Sequence, residues 1–312
     1  AGDLPLTALY GNAAAAGVVL ITTKKGSVDK TSVTVSNNTT FSKVAMMPEM
    51  QSKYGNVAGN VDSWGPIVNS DYDPRDFFRT GSNVINSVAL STGNQKNQSY
   101  LSASTTNTTN ILPNSGYNRY NFTVRNTTSF LKDKMTLDVS ANYVKQNDRN
   151  MVNQGTYSNP LVTAYLFPRG DDWNDIKMYE RYDTTRKIYT QYWPQDFSGL
   201  TGQNPYWIAY RNLRETDKDR YMLSAALNYK ILDWLSVSGR VRVDNSDSKY
   251  TRKLYATSNE ILVENSKNGL YGISQTNDKQ TYADFMVNIN KTFKEVLSLQ
   301  ANLGASYSDM RQ

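Results

Sequence analysis

Leu235-Ser236-Val237-Ser238-Gly239-Arg240-Val241-Arg242-Val243-Asp244 alternates strictly: odd positions are apolar or glycine, even positions polar or charged. A period of two belongs to a strand whose successive side chains point to opposite faces. Arg240, Arg242 and Asp244 must therefore share a wet face, with Val237, Val241 and Val243 on the other. The same pattern returns in Leu297, Leu299, Ala301, Leu303, Ala305 and Tyr307 against Ser298, Gln300, Asn302, Gly304, Ser306 and Ser308. Met135, Leu137, Val139, Ala141 and Tyr143 alternate likewise with Thr136, Asp138, Ser140 and Asn142. By the same criterion, further strands are predicted at about 31–41, 83–92, 98–108, 118–130, 220–231 and 280–291.

Alternation alone fits any antiparallel sheet with one wet face, a soluble sandwich included. The connections discriminate better. Short turns at Gly93–Asn97, Leu131–Lys134, Leu232–Trp234 and Phe293–Val296 alternate with longer links at about 42–82, 109–117, 150–219 and 251–279. One end of the sheet is trimmed and the other elaborated, as in an outer-membrane barrel with short periplasmic turns and long extracellular loops. A strand of about ten residues, at ~3.3 Å per residue and ~45° tilt, rises roughly 23 Å, near the ~25 Å apolar band of such barrels. Aromatic residues at the strand ends (Phe41, Tyr120, Phe130, Tyr143, Tyr221, Tyr229, Trp234, Phe293 and Tyr307) fit an interfacial girdle better than the alternative, rim packing in a soluble sheet.

Ahead of the strands lies Tyr10-Gly11-Asn12-Ala13-Ala14-Ala15-Ala16-Gly17-Val18-Val19-Leu20-Ile21-Thr22-Thr23-Lys24-Lys25-Gly26. Gly11 and Asn12 turn the chain, Gly17 to Ile21 reads as a strand buried on both faces, and Lys24, Lys25 and Gly26 stop it. A core strand of a soluble α/β domain has the same features. The glycine spacing does not make a phosphate-binding loop, and the lysines follow the strand instead of opening a helix.

This phrase closely resembles the end of the plug domain of SusC/RagA-type TonB-linked outer-membrane transporters, matching at Tyr10, Gly11, Gly17, Thr22, Thr23, Lys24, Lys25 and Gly26. The resemblance continues through Asp76-Phe77-Phe78-Arg79-Thr80-Gly81, then Asn86 to Asn94, and into Tyr100-Leu101-Ser102 and Tyr117-Asn118-Arg119-Tyr120-Asn121. Later strands match by pattern only. It implies an all-β fold: an antiparallel transmembrane β-barrel, partial, with about nine of an expected 22 strands, preceded by the C-terminal end of an α/β plug domain. The expected division is 1–28 as the end of the plug and 29–312 as the N-terminal part of the barrel. A fragment of this kind would expose an apolar face and an unpaired edge, and aggregate in water.

The resemblance also implies function: energy-coupled import through the outer membrane of a Gram-negative bacterium, driven by the TonB-ExbB-ExbD complex. A SusD-like surface lipoprotein would cap the loops, outer-membrane lipid would surround the barrel, and the cargo would be a large nutrient, glycan or peptide. Asn228, Arg240, Arg242 and Asn288 would face the lumen. The alternative is a soluble all-β carbohydrate-binding or hydrolytic protein; an adhesin barrel without transport is a third reading.

Composition narrows the chemistry. The chain has no histidine and no cysteine, which removes Ser-His-Asp and Cys-His relays, thiolate nucleophiles and zinc sites of the usual N/S type. No carboxylate pair sits in a recognisable hydrolase motif, and neither an enzyme nor a cofactor is expected. Asp171-Asp172-Trp173-Asn174-Asp175 lacks the spacing of a calcium loop and reads as a solvated turn. The net charge of +6 comes from scattered lysines and arginines, so nucleic acid is not an expected partner. The 150–219 link is rich in rings and amides, and Trp173, Tyr192, Trp193, Tyr206 and Trp207 are singled out there as contacts for a sugar, a peptide or a lid. The same rings could instead pack the loop upon itself.

Overall fold

The computed structural model describes residues 24–57, 60–70, 72–194, 202–293 and 297–312. Nine strands form one antiparallel sheet: β1 (Ser32–Ser42), β2 (Gly81–Gly93), β3 (Asn97–Thr109), β4 (Gly116–Phe130), β5 (Met135–Arg149), β8 (Asn212–Leu232), β9 (Leu235–Leu254), β10 (Leu270–Phe293) and β11 (Leu297–Arg311), in that spatial order. A separate hairpin, β6 (Glu180–Asp183) with β7 (Ile188–Gln191), lies within the long link before β8. Three short helices share that link: α1 (Pro160–Leu166), α2 (Trp173–Ile176) and α3 (Pro205–Arg211).

Register fixes the two faces. Across β5, β8, β9, β10 and β11, Ser140 stands opposite Ser224, then Arg242, Tyr282 and Ser308. One residue along, Val139 stands opposite Ala225, then Val241, Ala283 and Tyr307. Because a strand's side-chain period is two, a one-residue slip would exchange these rows, so the pattern specifies the register.

The polar face is cross-linked by its own side chains. Asn142 donates to Thr123 at 2.6 Å, Ser140 and Ser224 lie 2.8 Å apart, and Arg240 donates to Asp284 at 2.9 and 2.6 Å. The apolar face carries Val35, Phe122, Val124, Leu223, Val241, Phe285 and Leu303, each about half exposed or more. No second layer of described residues covers it. In a soluble sandwich this is the face that would be buried, so its exposure decides for a wall turned toward lipid. No helix among the described residues is long and apolar enough to cross a membrane.

The band has a sharp upper edge. Tyr143 stands opposite Tyr221, and two residues further Lys145 stands opposite Asp219, then Asp247 and Asn277. Tyr143 donates its hydroxyl to Asp219, a ring in the apolar band with its tip in the charged row. From Met135 to Tyr143 the wall rises roughly 19 Å at ~3.3 Å per residue and ~45° tilt. At the short-turn end the Lys291 ammonium lies 4.6 Å from the Trp234 ring centre and 5.2 Å from that of Phe293, an arrangement suited to headgroups.

The long links prove shorter than the expected 42–82, 150–219 and 251–279. β8 starts at Asn212, β9 runs to Leu254 and β10 begins at Leu270. Asn212-Leu213-Arg214-Glu215-Thr216-Asp217-Lys218-Asp219 reads as polar loop, yet it pairs with the upper halves of β5 and β9. Above the band, polar side chains on both faces replace alternation. Asn147 donates to Asp217 at 2.8 Å, and Lys145 lies 3.5 Å from Asp219.

The assignment of faces has a direct test. Val241→Arg should cost ~2 to 4 kcal/mol near the bilayer midplane and block outer-membrane assembly of the full-length protein, whereas Ser238→Arg on the polar face should assemble. Heat-modifiable gel mobility of membrane fractions reads both. Normal assembly of Val241→Arg would count against the lipid-facing placement.

Candidate functional site

Two places on the polar side bring functional chemistry together. The first is at the short-turn end, where the chain runs into β1. Arg125 of β4 grips Asp138 of β5 with a two-pronged contact, Nε at 2.9 Å and Nη2 at 2.8 Å, and Thr127 donates to the same carboxylate at 3.0 Å. Arg125 Nη1 also donates to the Lys24 carbonyl at 3.3 Å, while Lys25 Nζ lies 3.9 Å from Asp138.

Beyond the lysines, the Ser27 amide donates to Ser91 Oγ at 2.8 Å and the Asp29 amide to the Gly93 carbonyl at 2.9 Å. Gly26 has to be glycine, because a Cβ there would lie 2.4 Å from the Ser99 amide nitrogen. Residues 24–29 are thus strapped across the ends of β2, β3, β4 and β5. The Arg125 and Asp138 side chains are mostly sheltered from solvent, 16% and 15% exposed, so the fork contributes on the order of 1.5 to 3 kcal/mol. Of the phrase that carried the resemblance, Lys24, Lys25 and Gly26 form this strap, and Tyr10, Gly11, Gly17, Thr22 and Thr23 lie outside the described residues.

The four residues expected to face the lumen share the face of Arg125 and Asp138. Asn228 stands opposite Thr136 and Ser238, and Asn288 opposite Ser236 and Asn302. Arg242 stands opposite Ser224 and Tyr282. Arg240 is tied to Asp284 and lies 5.4 Å from the Tyr282 ring centre, leaving part of its guanidinium edge for solvent.

The second place is the loop cluster at the other end. The links 43–80 and 150–211 fold together around Tyr72, Phe77, Leu112, Ala164, Phe167, Trp173 and Ile176, with Trp193 and Tyr206 packed alongside. Asn159 and Asn204 begin α1 and α3 by accepting from backbone amides, each followed by a proline at the first helical position. Buried Arg169 lies 4.9 Å from the Tyr72 ring centre and donates to the Gln51 carbonyl at 3.2 Å; the Gly170 amide donates to Asn56 at 2.8 Å. Asp172 caps α2, while Asp175 accepts from Tyr192 and pairs with Arg181, so this acidic run closes a turn.

The rings singled out from sequence divide by exposure. Trp207 is wholly buried, its indole N–H donating to Ser258 at 3.0 Å, and Trp173 is stacked against Tyr72 at 4.5 Å. Both hold the loops together. Tyr206 meets Phe77 edge-on at 5.2 Å, and Trp193 borders Phe167 at 6.4 Å. Tyr192 carries the Arg181 guanidinium 3.4 Å from its ring centre. Sequence reading missed a neighbouring group: Arg211 donates to both Glu180 oxygens at 2.7 Å and lies between the rings of Tyr179 and Tyr255, 5.4 and 5.2 Å from their centres. Burial opposes the Arg211 charge, but the Glu180 hydrogen bonds and the facing rings outweigh it and raise its pKa.

Fold and faces define a segment of an antiparallel β-barrel wall with residues 24–29 strapped to its polar side. No family model matches the chain. It is similar to the TonB-dependent receptor SusC of Bacteroides thetaiotaomicron, 24% identical over 325 residues, covering 99% of this chain and 26% of that one. Among solved structures it resembles the RagAB peptide importer in the closed-closed state, with a TM-score of 0.68 at 13% identity over 97% of this chain and 37% of that one. The RagAB peptide importer in the open-open state superposes with a TM-score of 0.62 at 10% identity, covering 92% and 35%. The chain resembles a segment of a SusC/RagA-type TonB-dependent receptor in sequence and in fold. It spans about a quarter of the length of that receptor, and its relatives are a receptor and an importer, not enzymes.

Two measurements probe these places. Asp138→Asn should free the strap, giving faster proteolysis after Lys24 and Lys25 in the folded full-length protein, while Asp284→Asn, which breaks a comparable pair elsewhere on the face, should not. Burial raises the Tyr72 and Tyr206 phenols above the usual 10.0. Unfolded tyrosines ionise near pH 10, so the loop core keeps its full stability below that pH and loses it as pH rises further. An absorbance titration should show these two tyrosines ionising after the exposed ones, together with loss of the loop core.

Proposed function

We propose that the full-length protein carrying this chain is an outer-membrane active transporter that imports a large nutrient, glycan or peptide, on energy from TonB-ExbB-ExbD. Residues 1–28 would be the end of its plug and 29–312 the first part of its barrel, with a SusD-like surface lipoprotein closing over the long links. The supporting observation is the two-faced wall: an apolar band of membrane height outside and, inside, a polar face with residues 24–29 strapped across it. A chain held against the inner wall at the short-turn end is what a plug entering a barrel requires. The similarity to SusC and to the RagAB importer supports the same reading.

In this arrangement Asn228, Arg240, Arg242 and Asn288 would line the conduit, offering amides and a paired cation to a hydrated solute. The fixed loop core would present the outer ends of the links to cargo and lid. Uptake of labelled oligosaccharides and peptides, compared in cells with the gene, without it, and without TonB, tests the proposal. Energy-dependent uptake that vanishes in both deletions is expected. Cargo entry that is indifferent to TonB would sink it.

A further inference from the structure

A cleft of about 630 Å³ lies between the β6–β7 hairpin and the loop joining β9 to β10. The hairpin is clasped to that loop at both ends. At its base Gln191 donates to Thr257 through its amide at 2.7 Å and its side chain at 3.0 Å, beside the Arg211–Glu180 pair. At its tip Arg186 donates to the Lys267 carbonyl at 2.6 Å. The far wall is fixed too: Gly269 turns with φ +81°, and a Cβ there would fall 2.2 Å from the Leu254 carbonyl oxygen. The space between is held open by the fold.

Its lining has a definite chemistry. Tyr189, Tyr255 and Tyr271 border it, 57%, 45% and 65% exposed as residues; Tyr255 shares its ring with Arg211 and Tyr189 meets Tyr182 edge-on at 5.4 Å, whereas Tyr271 presents an open ring. Asn268, Lys253 and Arg211 supply the polar groups, and no carboxylate among the described residues lines it. The Arg211 charge is matched by Glu180, whereas Lys253 forms no ion pair among the described residues. Lys253 stands directly opposite Tyr271 in the register, placing an uncompensated cation beside an open ring. Flat rings accept the C–H face of a pyranose, an amide serves its hydroxyls, and a lone ammonium selects a carboxylate or sulfate.

We propose that this cleft binds an acidic saccharide. A soluble uronic-acid-containing glycan and the anionic core sugars of surrounding lipopolysaccharide present the same chemistry. The proposal concerns recognition, so it stands apart from the import reading and is tested by binding alone.

The full-length protein in detergent would be applied to an array of uronic-acid-containing oligosaccharides, neutral oligosaccharides and peptides, and separately to lipopolysaccharide micelles. Retention of acidic over neutral sugars is expected. Lys253→Gln should lower affinity for acidic sugars about tenfold, the order of one charge-assisted hydrogen bond, and leave neutral ones unchanged. Tyr271→Ala should weaken both. Competition of micelles with the soluble glycan for the wild-type cleft identifies the lipid source; retention of the glycan without such competition identifies the free one. Both side chains are exposed, and heat-modifiable mobility verifies that the variants are folded. Binding of peptides instead, sugar binding untouched by either substitution, or no sugar binding by the folded protein would each overturn the proposal.

Discussion

A strand crossing hydrocarbon must satisfy every backbone N–H and C=O with a neighbouring strand, because no water is there to do it. The rest of the structure follows from that requirement. Pairing is continuous from β1 to β11, and with the backbone groups of the strands between them committed sideways only the two faces remain free. One meets lipid and the other water, so the sequence alternates. Val139, Ala225, Val241 and Ala283 share one face for the same reason that Ser140, Ser224, Arg242 and Tyr282 share the other.

The constraint relaxes with height. Above Tyr143 and Tyr221 water is available on both sides, so alternation is no longer required and strand pairing can rest on side-chain cross-links such as Asn147 to Asp217. This explains where sequence reading worked and where it stopped. The band was legible because a period of two is the mark of a half-lipid environment. The upper halves of β8, β9 and β10 were not, since a polar, paired strand in water resembles a loop. Two starts could have been read: Asn159-Pro160 and Asn204-Pro205 are strong helix openings, overlooked amid a ring-rich segment.

Rings show a different limit. Residue type announces that Trp173, Trp207, Tyr189 and Tyr271 have large faces, but not whether a face is covered. Covering depends on the link 43–80 arriving over 150–211, through contacts such as Arg169 to Gln51. The Arg211–Glu180 fork depends likewise on a fold that brings together residues 31 apart in sequence. No local pattern encodes either. The plug phrase was legible as a resemblance, and the structure adds what it joins: Lys24 and Lys25 meet Arg125 and Asp138 on two different strands.

That junction has a mechanical consequence under the proposed import function. A pull on the plug is transmitted along the chain to its last attachment on the wall. Residues 24–29 are held by Arg125, Asp138, Ser91 and Gly93 on three strands of the wall, so the attachment is shared among several contacts. The fork at Asp138 joins two strands of the wall, and so fixes the Arg125 guanidinium and the Asp138 carboxylate that Lys24 and Lys25 contact. Rearrangement driven from the far end of the plug would therefore stop at Lys24, leaving β1 and the wall register unchanged. A barrel whose lateral pairing must remain complete in lipid needs such a stop, because any displacement of β1 would expose unpaired backbone to hydrocarbon.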